Sequence, residues 1–267
     1  MTRKFTLFLA SMLIVFSAGA TMPTIGTITA DEQPATVAAD ESEDEGFWWG
    51  ASFDMASNYI WRGFDQPYAG GNRNMFDPAL QPGVTLGYGN FYIDLWANRS
   101  LISTYTEFDV FLGYENENLT VTLYDVLWGV SEDMSTMNPL KGENHSLTAT
   151  IDYTLFERLR LHWATTFIHS GDKLINGKQA YSSYFEVAYD FSLSEVDFTV
   201  AAAVLPFAAD YYGNDDFGVC NLNITAGYEF EFDNGATLPI SGQVMYNPMW
   251  NECFWGVSVG YYFSLDF

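Results

Sequence analysis

The sequence predicts an all-β fold, a transmembrane antiparallel up-and-down β-barrel of about twelve strands, and three observations carry that prediction. Apolar and polar residues alternate with period two from Phe47 onward, at intervals too short for helices between strands. The links between alternating segments switch between tight turns and longer polar loops. The chain closes on Phe267, preceded at alternate positions by Leu265, Phe263, Tyr261, Val259, Val257 and Trp255. Composition agrees: aromatic residues make up 18% of the 267 and charged residues 16%, against about 25% charged in ordinary soluble domains. Beyond the first twenty residues no run approaches the roughly 18 consecutive apolar residues of a membrane helix, so a spanning chain must cross as strands.

Taken in order, residues 1–20 read as a secretory signal: Arg3 and Lys4, an apolar run over 7–16, then the small-residue site Ala18-Gly19-Ala20. A cut after Ala30 fits as well, because 21–30 is still apolar and small. Residues 31–46 form an acidic linker without an aromatic residue, a composition that cannot bury enough surface to order itself. The barrel is expected over 47–267, with strands near 47–63, 78–88, 91–101, 105–115, 119–130, 144–154, 159–169, 180–190, 195–205, 217–230, 237–247 and 252–267. Most of these match the roughly 9 to 11 residues that cross the hydrocarbon layer at a tilt. An even count puts both termini on the side of the tight turns, which in bacterial outer-membrane barrels is the periplasm.

Parity separates the two faces. Over 159–167, Leu159, Leu161, Trp163, Thr165 and Phe167 share one side, and Arg160, His162, Ala164 and Thr166 the other. In the first strand Phe47, Trp49, Ala51, Phe53 and Met55 oppose Trp48, Gly50, Ser52 and Asp54. A charged Arg or Lys on the lipid face costs about 2 to 4 kcal/mol at mid-depth, so the polar side is expected to face inward. The pore-lining candidates are Asp54, Asn58, Arg62, Asp94, Glu107, Asp109, Asp152, Arg160, His162, Glu186, Asp197, Asn223 and Glu229. They either line water or neutralise one another, with Arg62 and Arg160 pairing neighbouring acids into a plug. A twelve-stranded barrel is intermediate between a filled and an open one, and both readings stand.

In the first strand, Ser57-Asn58-Tyr59-Ile60-Trp61-Arg62-Gly63-Phe64-Asp65-Gln66 resembles the opening of the TorF-type porin family, with Asp65 where Ser is usual. Pro78-Ala79-Leu80-Gln81, Phe91-Tyr92 with Trp96-Ala97, and Glu107-Phe108-Asp109 with Gly113-Tyr114 are similar to it as well. The matches cover roughly residues 47–114, and the resemblance implies an outer-membrane barrel that serves as a pore. The terminal stripe of Tyr261, Phe263, Leu265 and Phe267 resembles the signal that the bacterial barrel-insertion machinery reads.

The expected function is a narrow, cation-leaning diffusion channel for small solutes, with a closed structural or surface-recognition barrel as the alternative and an outer-membrane lipid-modifying enzyme as a distant third. The net charge of -24 makes nucleic acid an improbable partner and fits either a cation preference or soluble loops. Expected partners are outer-membrane lipid, the insertion machinery and small solutes or ions, and no cofactor or metal is expected. Enzymatic chemistry is not expected: Asn144-His145-Ser146 and His169-Ser170 place His beside Ser, which sends them to opposite faces of a strand. Cys220 and Cys253 are even in number in an oxidising compartment, so a disulfide and two free thiols are both allowed. Trp48, Trp49, Tyr59, Trp61, Tyr246, Trp250, Trp255, Tyr261 and Tyr262 are expected to form interface girdles.

Overall fold

The computed structural model describes residues 46–66, 76–103, 105–129, 145–169, 172–174 and 176–266. The expected signal segment, nearly all of the acidic linker, the loop 131–143 and Phe267 lie outside the described residues.

Twelve antiparallel strands close into one barrel. They are β1 (Phe47–Ala56), β4 (Ala79–Tyr88), β5 (Phe91–Ser100), β6 (Thr106–Glu115), β7 (Leu119–Gly129), β8 (His145–Leu155), β9 (Leu159–His169), β10 (Ser183–Leu193), β11 (Val196–Leu205), β12 (Gly218–Glu231), β13 (Thr237–Asn247) and β14 (Glu252–Asp266). Two short strands, β2 (Ile60–Trp61) and β3 (Phe64–Asp65), pair only with each other. Each barrel strand pairs with its chain neighbours, and β1 closes the ring by pairing β14, with Met55 opposite Val259 and Trp49 opposite Leu265. No edge is left open, which removes the unpaired N–H and C=O groups that hydrocarbon cannot satisfy.

The faces sort as parity predicts. Phe53, Leu86, Ile93, Leu123, Ile151, Val200, Ile224 and Val257 are exposed, while the residues between them, such as Thr85, Asp94, Thr122, Thr150 and Thr225, are buried inside. Apolar groups outside and polar groups inside invert the arrangement of a soluble protein, and a wall of this kind suits acyl chains. No helix among the described residues is long and apolar enough to cross a membrane, which says nothing against strands. The tight turns are built locally: Asn116 Oδ1 accepts from the backbone N–H groups of Asn118 and Leu119 at 3.1 and 3.0 Å, an Asx arrangement that reverses β6 into β7.

Two strands differ from expectation by more than one residue. The expected first strand, 47–63, stops at Ala56. Ser57 still bonds Val257, its N–H donating to the Val257 carbonyl at 2.8 Å and its Oγ accepting from the Val257 N–H at 3.0 Å, and then the chain turns into the barrel as the β2–β3 hairpin. The expected strand 180–190 begins instead at Ser183, because Asp172 holds the preceding residues in a loop: its carbonyl accepts from Ala180 N–H at 3.0 Å and its carboxylate from Ser182 N–H at 3.2 Å.

Candidate pore and its internal hairpin

The hairpin turns on two residues, Arg62 and Gly63, with Trp61 opposite Phe64. Both have positive φ, 49° and 91°, as the two-residue turns that match strand twist require. Gly63 is also fixed by space. A Cβ built on it would lie 2.1 Å from the Cys220 carbonyl oxygen, so only glycine lets the hairpin press against the wall there. Asn247 Nδ2 donates to the Gly63 carbonyl at 2.9 Å and ties the turn to the end of β13.

The tip carries a guanidinium into the interior. Arg62 is 2% exposed, and its Nη1 donates to Tyr212 Oη at 2.8 Å. Its Nη2 lies 3.2 Å from His162 Nε2, and His162 Nδ1 lies 2.7 Å from Asp152 Oδ1. The guanidinium carbon stands 4.8 Å from the Trp61 ring centroid and 5.1 Å from that of Tyr184, within cation–π range of both. Tyr212 arrives on a turn of 3-10 helix, Asp210–Tyr212, and stacks on Trp61 at 5.6 Å and Phe64 at 5.7 Å. Phe64 meets Trp250 edge-on at 4.6 Å. An aromatic plug therefore occupies part of the lumen, held to β9, β10, β12 and β13.

At the base of the hairpin, Tyr59 Oη donates to Glu107 Oε1 at 2.9 Å and its ring packs on Trp96 at 5.5 Å, while Tyr105 Oη donates to Glu107 Oε2. Asp65, beside Asn58 and Asp77, is buried, and burial pushes its carboxyl up to about 7. The nearby Asp77 charge raises it further, and the hydrogen bond from Asn58 opposes both.

None of the thirteen expected lumen residues is exposed. Asn58, Arg62, Asp94, Glu107, Asp109, His162, Glu186 and Asn223 are buried, and Asp54, Asp152, Arg160, Asp197 and Glu229 are half-buried. The structure brings Arg62, His162 and Asp152 into one chain of contacts, and Glu186 into another with Tyr184 Oη at 2.5 Å and Asn221 Nδ2 at 3.1 Å. Asp54 accepts from Tyr262 Oη at 2.9 Å. Asp94 accepts from Thr85 Oγ1 at 2.6 Å. Arg160 pairs with Asp190 at 2.8 and 3.4 Å, so one of the two arginines does neutralise an acid in the wall. Asp65, Gly63, Tyr184, Asp190 and Tyr212 were not among the sequence candidates, although Arg62-Gly63 between Ile60-Trp61 and Phe64-Asp65 is a turn signal that marks the hairpin.

Several inner-wall polar atoms have no protein hydrogen-bond partner: Asn98 Nδ2, Asn223 Oδ1, Thr225 Oγ1 and Gln243 Oε1. Burying such atoms dry costs roughly 1 to 3 kcal/mol each.

Of the two alternatives left open for the cysteines, the structure shows the one without a bridge: Cys220 is buried, Cys253 is exposed, and no disulfide joins them. The bulge where Ala203 pairs Asn221 but Val204 pairs Val219 shifts the parity of β12 and turns Cys220 inward. Only part of the girdle is on the outside: Tyr246, Trp255 and Tyr261 are exposed, but Trp48 lies inside over Gly87, Tyr59 and Trp61 belong to the hairpin, Trp250 packs on the plug, and Tyr262 bonds Asp54. His145 and Ser146 take opposite faces, His145 against Asp125 at 2.9 Å and Ser146 buried against Thr148 at 3.4 Å. Of the terminal stripe, Tyr261 is exposed, Phe263 is half-buried, and Leu265 lies in β14 opposite Trp49. Among the described residues no group of three or more His, Cys, Asp or Glu could hold a metal ion.

No family model matches the chain, and no curated protein does. Solved structures similar to it include the KdgM porin, at 8% identity over 82% of this chain and 99% of that one, TM-score 0.43. Others are the NanC porin, at 9% over 81% and 100%, TM-score 0.42, and the outer membrane protein opdK from Pseudomonas aeruginosa, at 11% over 71% and 57%, TM-score 0.35. None of them shows the TorF-type family.

Proposed function

We propose that the chain spans the bacterial outer membrane and conducts small solutes through a lumen narrowed by the β2–β3 hairpin. The observation that carries this reading is the set of inner-wall polar atoms without protein partners, at Asn98, Asn223, Thr225 and Gln243, which need water inside a closed barrel. The exposed apolar outer wall supports the membrane location, and lipid, the insertion machinery and small solutes are the corresponding partners. The inward carboxylates Asp54, Asp94, Glu107, Asp109, Asp152, Asp190, Glu186, Asp197 and Glu229 outnumber Arg62 and Arg160, which supports a preference for cations along that path. The resemblance of residues 47–114 to the TorF-type porins points the same way.

Planar-bilayer recording tests the reading. The full mature chain is expected to give small single-channel steps with a reversal potential favouring K+ over Cl− in a salt gradient. Replacement of residues 58–66 by a short Gly-Ser link is expected to enlarge the steps several-fold. A chain that stays silent with and without the hairpin would overturn the channel in favour of a structural barrel.

A further inference from the structure

The contacts at the hairpin tip specify a protonation state. A guanidinium offers only N–H groups, so His162 Nε2, 3.2 Å from Arg62 Nη2, must be the acceptor. The carboxylate of Asp152 only accepts, so His162 Nδ1, 2.7 Å from its Oδ1, must carry the ring's proton. The geometry is thus that of a neutral imidazole in one tautomer, wedged between a cation and an anion. A second proton on Nε2 would set N–H against N–H and cation against cation at that 3.2 Å contact. The bond to Asp152 would meanwhile strengthen, because the imidazolium is a better donor.

We propose that His162 is a proton-sensing latch: protonation of its Nε2 releases Arg62, lets the hairpin tip leave the lumen and widens the pore at acidic pH. This rests on the channel reading above. The proton comes from solvent and ends on Nε2, Nδ1 keeps its own proton on Asp152, and no covalent bond other than the new N–H changes.

The groups around His162 bear this out. Asp152 on β8 holds the ring at Nδ1, and Glu186 on β10 is the register partner of His162 and adds a second carboxylate to that part of the wall. Tyr184 on β10 packs against the imidazole at 5.9 Å, and Arg160 lies two positions away on the same strand, paired with Asp190. Arg62 is the partner that loses this acceptor, and its Nη1 also donates to Tyr212 Oη, a neutral group. A left-handed arginine is itself uncommon, with φ of 49° at Arg62, so the tip holds a conformation that its contacts must maintain. At the other end of the hairpin burial raises the Asp65 carboxyl to about 7, so acid favours the buried base while it frees the tip.

The native Cys220 reports on this movement, because it is fully buried and Gly63 rests directly on its backbone. In a Cys253→Ser background, the full mature chain in bilayers is treated with 4,4′-dithiodipyridine at about pH 7.5 and about pH 5, which bracket ordinary histidine titration. Rates are read against His162→Gln at the same pH, which cancels the reagent's own pH dependence and that of Asp65. The chain with native His162 should match His162→Gln at the higher pH and react about tenfold faster at the lower one, the population change from losing one charge-assisted hydrogen bond. Arg62→Asn, which suits the left-handed turn but lacks the guanidinium, should react fast at both. Equal rates for native His162 and His162→Gln at both pH values would overturn the latch, and that comparison decides even if Arg62→Asn does not fold. The acid-dependent thiol pattern without conductance in any variant would uphold the latch and overturn the channel.

Discussion

Gly63 and Asp65 show how much of the plug depends on single residues. Gly63 meets two demands at once, a φ of 91° and the approach to Cys220, and no side chain meets either without strain. Gly63→Ala is expected to cost the hairpin about 1 to 3 kcal/mol while leaving the barrel closed, seen as larger single-channel steps with unchanged strand content by circular dichroism. Asp65 gives the hairpin base a pH dependence whose sign follows from its environment. Its carboxyl rises from 3.8 to about 7 in the folded protein, chiefly by burial, so the folded state favours the protonated form. That stabilisation is complete below about pH 4 and is lost as pH rises through about 7. Thermal unfolding in detergent micelles should therefore show a midpoint that falls from pH 5 to pH 8, and Asp65→Asn should flatten the slope. The turn at Arg62-Gly63 is hinted at by the glycine, but nothing in the sequence brings Gly63 against Cys220 or Asp65 beside Asp77 in a buried site.

The strands were far more legible than the hairpin. Parity placed Trp48 on the side of Gly50, Ser52 and Asp54, and Tyr262 on the side of Gly260 and Ser264, and both are found inside. The girdle expectation set parity aside for those two rings, and there parity is the better guide. The end of β1 was missed because Ser57 to Asp65 keeps enough aromatic and polar alternation to extend the strand, while the turn at Arg62-Gly63 points to a reversal. Cys220 was missed for another reason: a bulge shifts the parity of β12, and no residue type announces it. Two substitutions test the wall. Val257→Arg, on the exposed face of β14, should destabilise the folded barrel in bilayers by about 2 to 4 kcal/mol, measured by urea titration. Asp190→Asn, which removes the partner of Arg160 across β9 and β10, should cost about 1.5 to 3 kcal/mol in the same titration.

At the scale of the whole molecule, a closed ring of twelve antiparallel strands has one polar and one apolar surface, and their order decides everything else. With the polar surface inside, the acids and the two arginines become a lumen and the hairpin becomes its constriction. Closure and strand count were legible because the alternation is strict and the links alternate in length. The filling of the lumen was not, because it depends on contacts between Arg62, His162, Tyr184 and Tyr212, which are scattered along the chain. The most direct test of the account is to refold the mature chain from urea with and without bilayers whose acyl chains carry bromine. A folded barrel is expected only with bilayer or detergent, with emission from the exposed Trp163 and Trp255 quenched by the brominated chains. A folded monomer in plain buffer, with no quenching when bilayers are added, would contradict it.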